Sequence, residues 1–217
     1  MNDRAAILGA IRSARKSLPP SADSIGAAAA QLVADPQAIR PDISGVTLLE
    51  RFVAKATSER VTATVAHPAA MADVPEAVAA YMQGAGQALR LCVQDTAVLA
   101  ALDWSGFDCT AELEHDGGTA VTLAEYGIAE TGSVVFRSGP DSPILMNFLP
   151  LFHIVILRAA RLIGHTEDLW PHLGGVDAPQ SRLLTIVTGT SGTADIEARN
   201  VRGAHGPKHM HILVVPP

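Results

Sequence analysis

The stretch Leu89-Arg90-Leu91-Cys92-Val93-Gln94-Asp95-Thr96-Ala97-Val98-Leu99-Ala100-Ala101-Leu102 changes its hydrophobic period halfway along, and that change decides the fold. Leu89, Leu91 and Val93 alternate with polar residues as a strand does, and a helix follows from Asp95 to Leu102, stopping near Trp104 and Gly106. Toward the amino terminus, Asp73 followed by Pro75 starts another helix, one that runs through Val78 and Met82. Before it, Val61, Ala63 and Val65 alternate as a strand. Earlier still, Leu48, Leu49, Phe52, Val53 and Ala56 have helical spacing, with Ser44 as the N-cap. Helix, strand, helix, strand, helix is the order of a parallel sheet covered by helices on both faces. The expected class is therefore α/β, three-layered, with a mostly parallel sheet.

Toward the carboxyl terminus, short strands around Val121 and Val134 flank a tight bend containing Gly127 and Gly132. Ile154 to Leu157 and Leu183 to Val187 read as buried strands, and His209 to Val215 as the last strand. At the other end, Ile7, Leu8 and Ile11 share one face of a short helix from Asp3 to Lys16. The Pro-, Ala-, Asp- and Ser-rich stretch from Leu18 to Ser44 reads as an extended connector. The expected organisation is an amino-terminal helix and connector over residues 1–43, then one α/β domain over 44–217.

Composition removes several function classes. The chain has 217 residues, 48% of them hydrophobic but only 4% aromatic, so its core is built mainly from Ala, Val, Leu and Ile. Its two cysteines, Cys92 and Cys109, are too few for an iron–sulfur cluster, which normally needs about four cysteine or histidine ligands. A net charge of -6 with scattered basic residues argues against nucleic acid. The charged amino terminus lacks an export signal, and Asn147, Pro150 and His153 interrupt the most apolar stretch, Ile144 to Leu157. A cytoplasmic protein without a membrane span is expected.

Three polar loops border the apolar strands. In the first, Ile128-Ala129-Glu130-Thr131-Gly132-Ser133, Glu130 is a general acid or base if a cleft desolvates it, and a solvated turn residue otherwise. In the second, Thr188-Gly189-Thr190-Ser191-Gly192-Thr193, small residues bring backbone amides close to a ligand. If Thr193 to Glu197 begins a helix, those amides converge on an anion. Gly189, Ser191, Thr193, Asp195 and Glu197 are thus candidate ligand contacts, the two acids as helix caps or as acceptors of a substrate hydroxyl. The P-loop lysine is absent. In the third, Arg202-Gly203-Ala204-His205-Gly206-Pro207-Lys208, a turn presents the imidazole of His205, a side chain suited to proton transfer, beside Gly206 and Lys208. His209 and His211 share one strand face. A metal site built on His205, His209 and His211, with Asp195 as fourth ligand, competes with a surface or structural role for the histidines, and no metal is assigned. His153 reads as a hydrogen-bonded core histidine, with proton transfer as its alternative.

At these loops the sequence resembles the LUD domain family, of the lactate-utilisation protein C type. The segments that carry the resemblance are Ala129 to Ser133, Leu149-Pro150-Leu151-Phe152-His153-Ile154, Gly189 to Glu197, and Gly203-Ala204-His205-Gly206-Pro207. Their order and spacing agree over roughly residues 60–215. The resemblance implies a fold similar to the ribose-phosphate isomerase, glucosamine-phosphate deaminase and CoA-transferase group, with ligands bound at loops following the sheet strands. It also implies a part in oxidising L-lactate to pyruvate beside two iron–sulfur partner proteins; with its two cysteines, this chain is expected to bind no cofactor itself. The family's usual Gly-Pro-Ser, basic residue, Thr-Ala-Asp-Ile is altered at Thr190 and Gly192. Arg137, Arg199, Arg202 and Lys208 are the cations that can replace the lost charge.

Three functions follow as expectations. The first is an accessory component of a lactate-oxidising system, binding a small carboxylate or a partner. The second is a stand-alone enzyme on a phosphorylated sugar or CoA-like substrate, with Glu130 and His205 as acid and base and Thr131, Gly132 and the second loop around the ligand. The third is a scaffold without chemistry.

Overall fold

Alanine is the strongest helix former, and four consecutive alanines at 27–30 turn the expected connector into a helix. The computed structural model describes residues 3–14, 20–34, 40–113, 117–174, 178–196 and 199–217. It divides into two units, 1–41 and 42–217. The first unit holds α1 (Asp3–Ala14) and α2 (Ala22–Ala34), with Ser21 Oγ accepting the Ser24 N–H at 3.1 Å.

The second unit opens with α3 (Leu48–Ala56), whose N-cap is Thr47 rather than Ser44. Thr47 and Glu50 form a capping box, Thr47 N–H donating to Glu50 Oε2 at 2.8 Å and Glu50 N–H to Thr47 Oγ1 at 3.2 Å. Ser44 instead donates its N–H to Asp42 Oδ1. In chain order follow β1 (Thr64–Ala66), α4 (Val74–Gly84), β2 (Arg90–Val93), α5 (Ala97–Ala100), β3 (Asp108–Cys109) and β4 (Thr119–Leu123). Then come β5 (Tyr126–Ile128), β6 (Ser133–Arg137), β7 (Phe152–Arg158), β8 (Leu162–Ile163) and α6 (Leu169–His172). The remaining strands are β9 (Leu184–Val187), β10 (Gly192–Ile196), β11 (Arg199–Arg202) and β12 (His209–Val215).

Six strands form the main sheet in the order β1-β12-β7-β4-β2-β3, every neighbouring pair parallel. This is the mostly parallel α/β sheet expected from the alternation of elements. Val78 and Met82 of α4 and Leu99 of α5 cover one face, meeting Leu91, Val121, Ile154 and Leu213. The other face is not covered by helices alone. Phe52 and Ala56 of α3 share it with Val134 and Phe136 from a second, mixed sheet, β8-β5-β6-β9, packed on Val155, Leu157 and Ile212. Between Thr119 and Val187 the apolar runs are too short for a covering helix, so this layer is made of strands.

Two local expectations change. Leu183 to Val187 is not a fully buried strand: β9 lies at an edge of the second sheet, and Ile186 is 38% exposed. Thr193 to Ile196 does not begin a helix but belongs to the hairpin β10–β11, so no helix amino terminus converges there.

Gly189 is required by close approach. Its φ is +80°, and a Cβ there would lie 1.8 Å from the Val61 carbonyl oxygen, the same oxygen that accepts the Thr190 N–H at 3.1 Å. We expect Gly189→Ala to lower unfolding stability by about 2 kcal/mol or more, measured by urea titration with secondary structure retained.

His153 is fully enclosed, with Nε2 paired to Thr122 Oγ1 at 2.8 Å and Nδ1 without a partner. His211 stacks on Tyr81 with ring centroids 4.0 Å apart. Burial pushes their pKa values down to about 3 and about 4 respectively. The unfolded chain binds both protons near about 6.5, so unfolding takes up protons below that pH. The contribution is complete above about pH 6.5 and is lost on acidification toward pH 4, at up to about 1.4 kcal/mol per pH unit per proton. Replacing both histidines by Gln should flatten that slope. An unchanged slope would show that the imidazoles charge within the fold.

Candidate functional site

The second and third loops meet at the amino-terminal end of the main sheet. Ser191 N–H donates to the Pro207 carbonyl at 2.9 Å, and Gly203 N–H donates to the Ser191 carbonyl at 3.0 Å. Gly206 permits this approach, since a Cβ there would lie 3.1 Å from Ser191 Cβ. The first loop joins through hydroxyls: Thr131 Oγ1 pairs with Ser133 Oγ at 2.6 Å, and Ser133 Oγ with Thr188 Oγ1 at 2.7 Å. Gly132 presses on α3, where a Cβ would come within 2.4 Å of Ala56 N. Thr190 Oγ1 pairs with Thr62 Oγ1 at 2.6 Å, and Thr62 has a φ of 62°, unusual for a β-branched residue.

The loops therefore converge, but not as an acid–base pair. Glu130 turns toward the segment after β8, its N–H donating to the Gly164 carbonyl and its Oε2 accepting the Thr166 N–H at 3.4 Å. His205 is exposed, and among the described residues no hydrogen bond or ion pair joins it to Glu130. Thr193 pairs with Val201 in the hairpin. Glu197 lies outside the described residues, as does the side chain of Asp195.

Beside these loops, Thr62, Thr64, Tyr81, Arg202, Lys208 and His209 line a pocket of about 160 Å³. Its floor is ordered by Thr64 Oγ1 against His211 Nδ1 at 2.7 Å and by His209 stacked on Phe152 at 4.4 Å. Burial, with Lys208 next, lowers the pKa of His209, and burial lowers that of His211, so both rings are neutral near pH 7. The positive charge of the pocket comes from Arg202 and Lys208. Among the described residues no cluster of three or more His, Cys, Asp or Glu side chains is placed to hold a metal ion.

A larger cleft of about 400 Å³ opens at the opposite end of the sheet. Arg137, at the end of β6, is held by Glu125 in a two-pronged ion pair that keeps the guanidinium strongly protonated. Arg158 closes β7, and Arg161 follows after one 3₁₀ turn. No Gly- and Ser-rich loop of the kind singled out in the sequence marks this cleft. The available signal was Arg158-Ala159-Ala160-Arg161 directly after an apolar strand, because a 3₁₀ turn places residues three apart on one side.

Residues 110–215 match the model of the LUD domain family. Among curated proteins, the chain is 33% identical over 107 residues to "Lactate utilization protein C" of Halalkalibacterium halodurans, covering 48% of this chain and 46% of that protein. It is 33% identical over 98 residues to the uncharacterised protein YkgG of Escherichia coli, covering 44% and 42%. With "Lactate utilization protein C" of Deinococcus radiodurans it shares 30% over 111 residues, covering 48% and 49%. The chain thus spans about half the length of the curated relatives it matches. A crystal structure of a DUF162 family protein from Deinococcus radiodurans shares the fold, with a TM-score of 0.57 at 21% identity, over 77% of this chain and 96% of that one. The matched segment, which contributes β4, β7, β12 and the three loops, is similar to the LUD domain family.

Proposed function

We propose that the chain is an accessory component of a lactate-utilisation system, acting in the cytoplasm beside two iron–sulfur partner proteins that carry the electrons. One observation carries this reading: the loops bearing the family resemblance converge beside a small pocket whose charge comes from Arg202 and Lys208. A pocket of about 160 Å³ suits a carboxylate of lactate's size, which two cations and the Thr62 and Thr64 hydroxyls can hold. The names of the relatives support the context. Two free cysteines, Cys92 and Cys109, cannot supply a cluster, so electron transfer falls to the partners. Among the described residues no helix is long and apolar enough to cross a membrane. We also read the fold as part of the ribose-phosphate isomerase and CoA-transferase group, on the strength of its parallel sheet and layered packing.

The reading of a stand-alone enzyme draws less support, because Glu130 and His205 face different neighbours. The test is genetic and biochemical together. Deleting the gene should abolish growth on L-lactate while growth on pyruvate continues, and the tagged protein should co-purify with two cysteine-rich iron–sulfur proteins. Complementation by Lys208→Ala should restore growth less than a tenth as well as the native gene. Normal growth on lactate without the gene, or purification with no such partner, removes the proposal.

A further inference from the structure

The larger cleft lies where strand connections diverge. From β2 the chain runs outward to β3, then returns to β4 and continues to β7 on the other side. The connections leaving β2 and β4 therefore run to opposite sides of the paired strand ends, an arrangement of the kind in which open α/β sheets bind ligands. Gln94, just past β2 and 5% exposed, fastens the walls of the cleft. Its Oε1 accepts the Leu123 N–H at 2.7 Å and its Nε2 donates to the Asp141 carbonyl at 2.9 Å, tying the turn at 139–142 to the sheet. The crevice is thus formed before any ligand enters.

Its charges are arranged unequally. Glu125 neutralises Arg137. Arg161 is steadied by Tyr126, its guanidinium carbon 5.4 Å from the ring centre and Nη1 donating to the phenol oxygen at 3.2 Å, which leaves its other N–H groups available. The Arg158 guanidinium has no hydrogen-bond or ion-pair partner among the described residues, although the residue is half-buried at the carboxyl end of β7. Two like charges at one strand end repel each other, and a doubly charged anion relieves that repulsion while accepting forked hydrogen bonds. The carboxylate of Asp141 and the hydroxyls of Ser138, Ser142 and Ser181 also line the cleft. Ser138 Oγ accepts the Leu183 N–H at 3.0 Å and so keeps its own proton to donate.

We propose that this cleft binds a hydroxyl-bearing organic dianion larger than lactate, its anionic end on Arg158 and Arg161 and its hydroxyls on Asp141 and the serines. Size excludes lactate as the intended occupant. A space of about 400 Å³ is in the range of cofactor and metabolite pockets, whereas a small monoanion fills a fraction of it and engages one guanidinium. The site stands apart from the Arg202 and Lys208 pocket, at the other end of the sheet, and does not depend on a role in lactate utilisation.

Isothermal titration of the full chain with glucose 6-phosphate, tartrate and L-lactate tests this. Glucose 6-phosphate or tartrate, or both, should bind at least tenfold more tightly than lactate, preference for the first indicating an organic phosphate and for the second a dicarboxylate. Arg158→Gln and Arg161→Gln should each weaken that binding at least tenfold with an unchanged thermal midpoint, and Lys208→Ala should leave it within twofold. Arg161 is exposed, so its variant tests the site even where Arg158→Gln fails to fold. Binding of neither dianion, lactate binding as tightly as either, or dianion binding that survives loss of Arg161 or disappears with Lys208 would overturn the proposal.

Discussion

Strand β7 is buried on both faces from Phe152 to Leu157 and pairs with neighbours on both edges, β12 over seven residues and β4 over five. Its neighbours β12 and β4 are likewise buried and paired on both edges, so β7 sits between two interior strands. Its odd-and-even alternation divides the core: Ile154 and Ile156 meet the helices α4 and α5, while Val155 and Leu157 meet α3 and the second sheet. A one-residue slip of β7 would exchange these two sets. The same register carries His153 inward beside Thr122, a polar pair amid aliphatic side chains, and so adds a hydrogen bond that only the correct alignment satisfies.

The two concavities inherit this arrangement. Because all six strands of the main sheet run one way, the loops entering the strands gather at one end and the loops leaving them at the other. The turn before β12 brings Lys208 and Arg202 together near Thr62, whereas the turn after β7 brings Arg158 and Arg161 together near Glu125 and Arg137. Cations thus collect at both ends of a chain whose net charge is -6. Local grouping, not overall composition, makes each end attractive to anions.

Much of this architecture was legible. The period change between Leu89 and Leu102 and the Asp73–Pro75 helix start identified elements that lie where periodicity placed them, because burial on a sheet face imposes the same spacing on sequence and structure. The second sheet was less visible, since β5 and β8 are two or three residues long and draw their stability from partners far along the chain. At the loops, sequence reasoning found the glycines and hydroxyls that converge near Val61, but could not see that Glu130 turns toward Gly164 while His205 faces solvent. Side-chain direction at a turn is set by tertiary contacts, which no local pattern encodes. The pair Arg158 and Arg161 escaped for a related reason: a charged strand end reads as ordinary solvation until the crevice beside it is known.

The position of β12 has a consequence for synthesis on the ribosome. It is the last strand of the main sheet to be made, yet its place is an interior one, between β1 and β7. Until residues 209–215 are made, β1 lacks its strand partner in the main sheet and β7 keeps one edge of unpaired amides and carbonyls. The addition of β12 therefore joins β1 to β7 and draws Pro207 against Ser191, so the main sheet is completed only by its last-made strand.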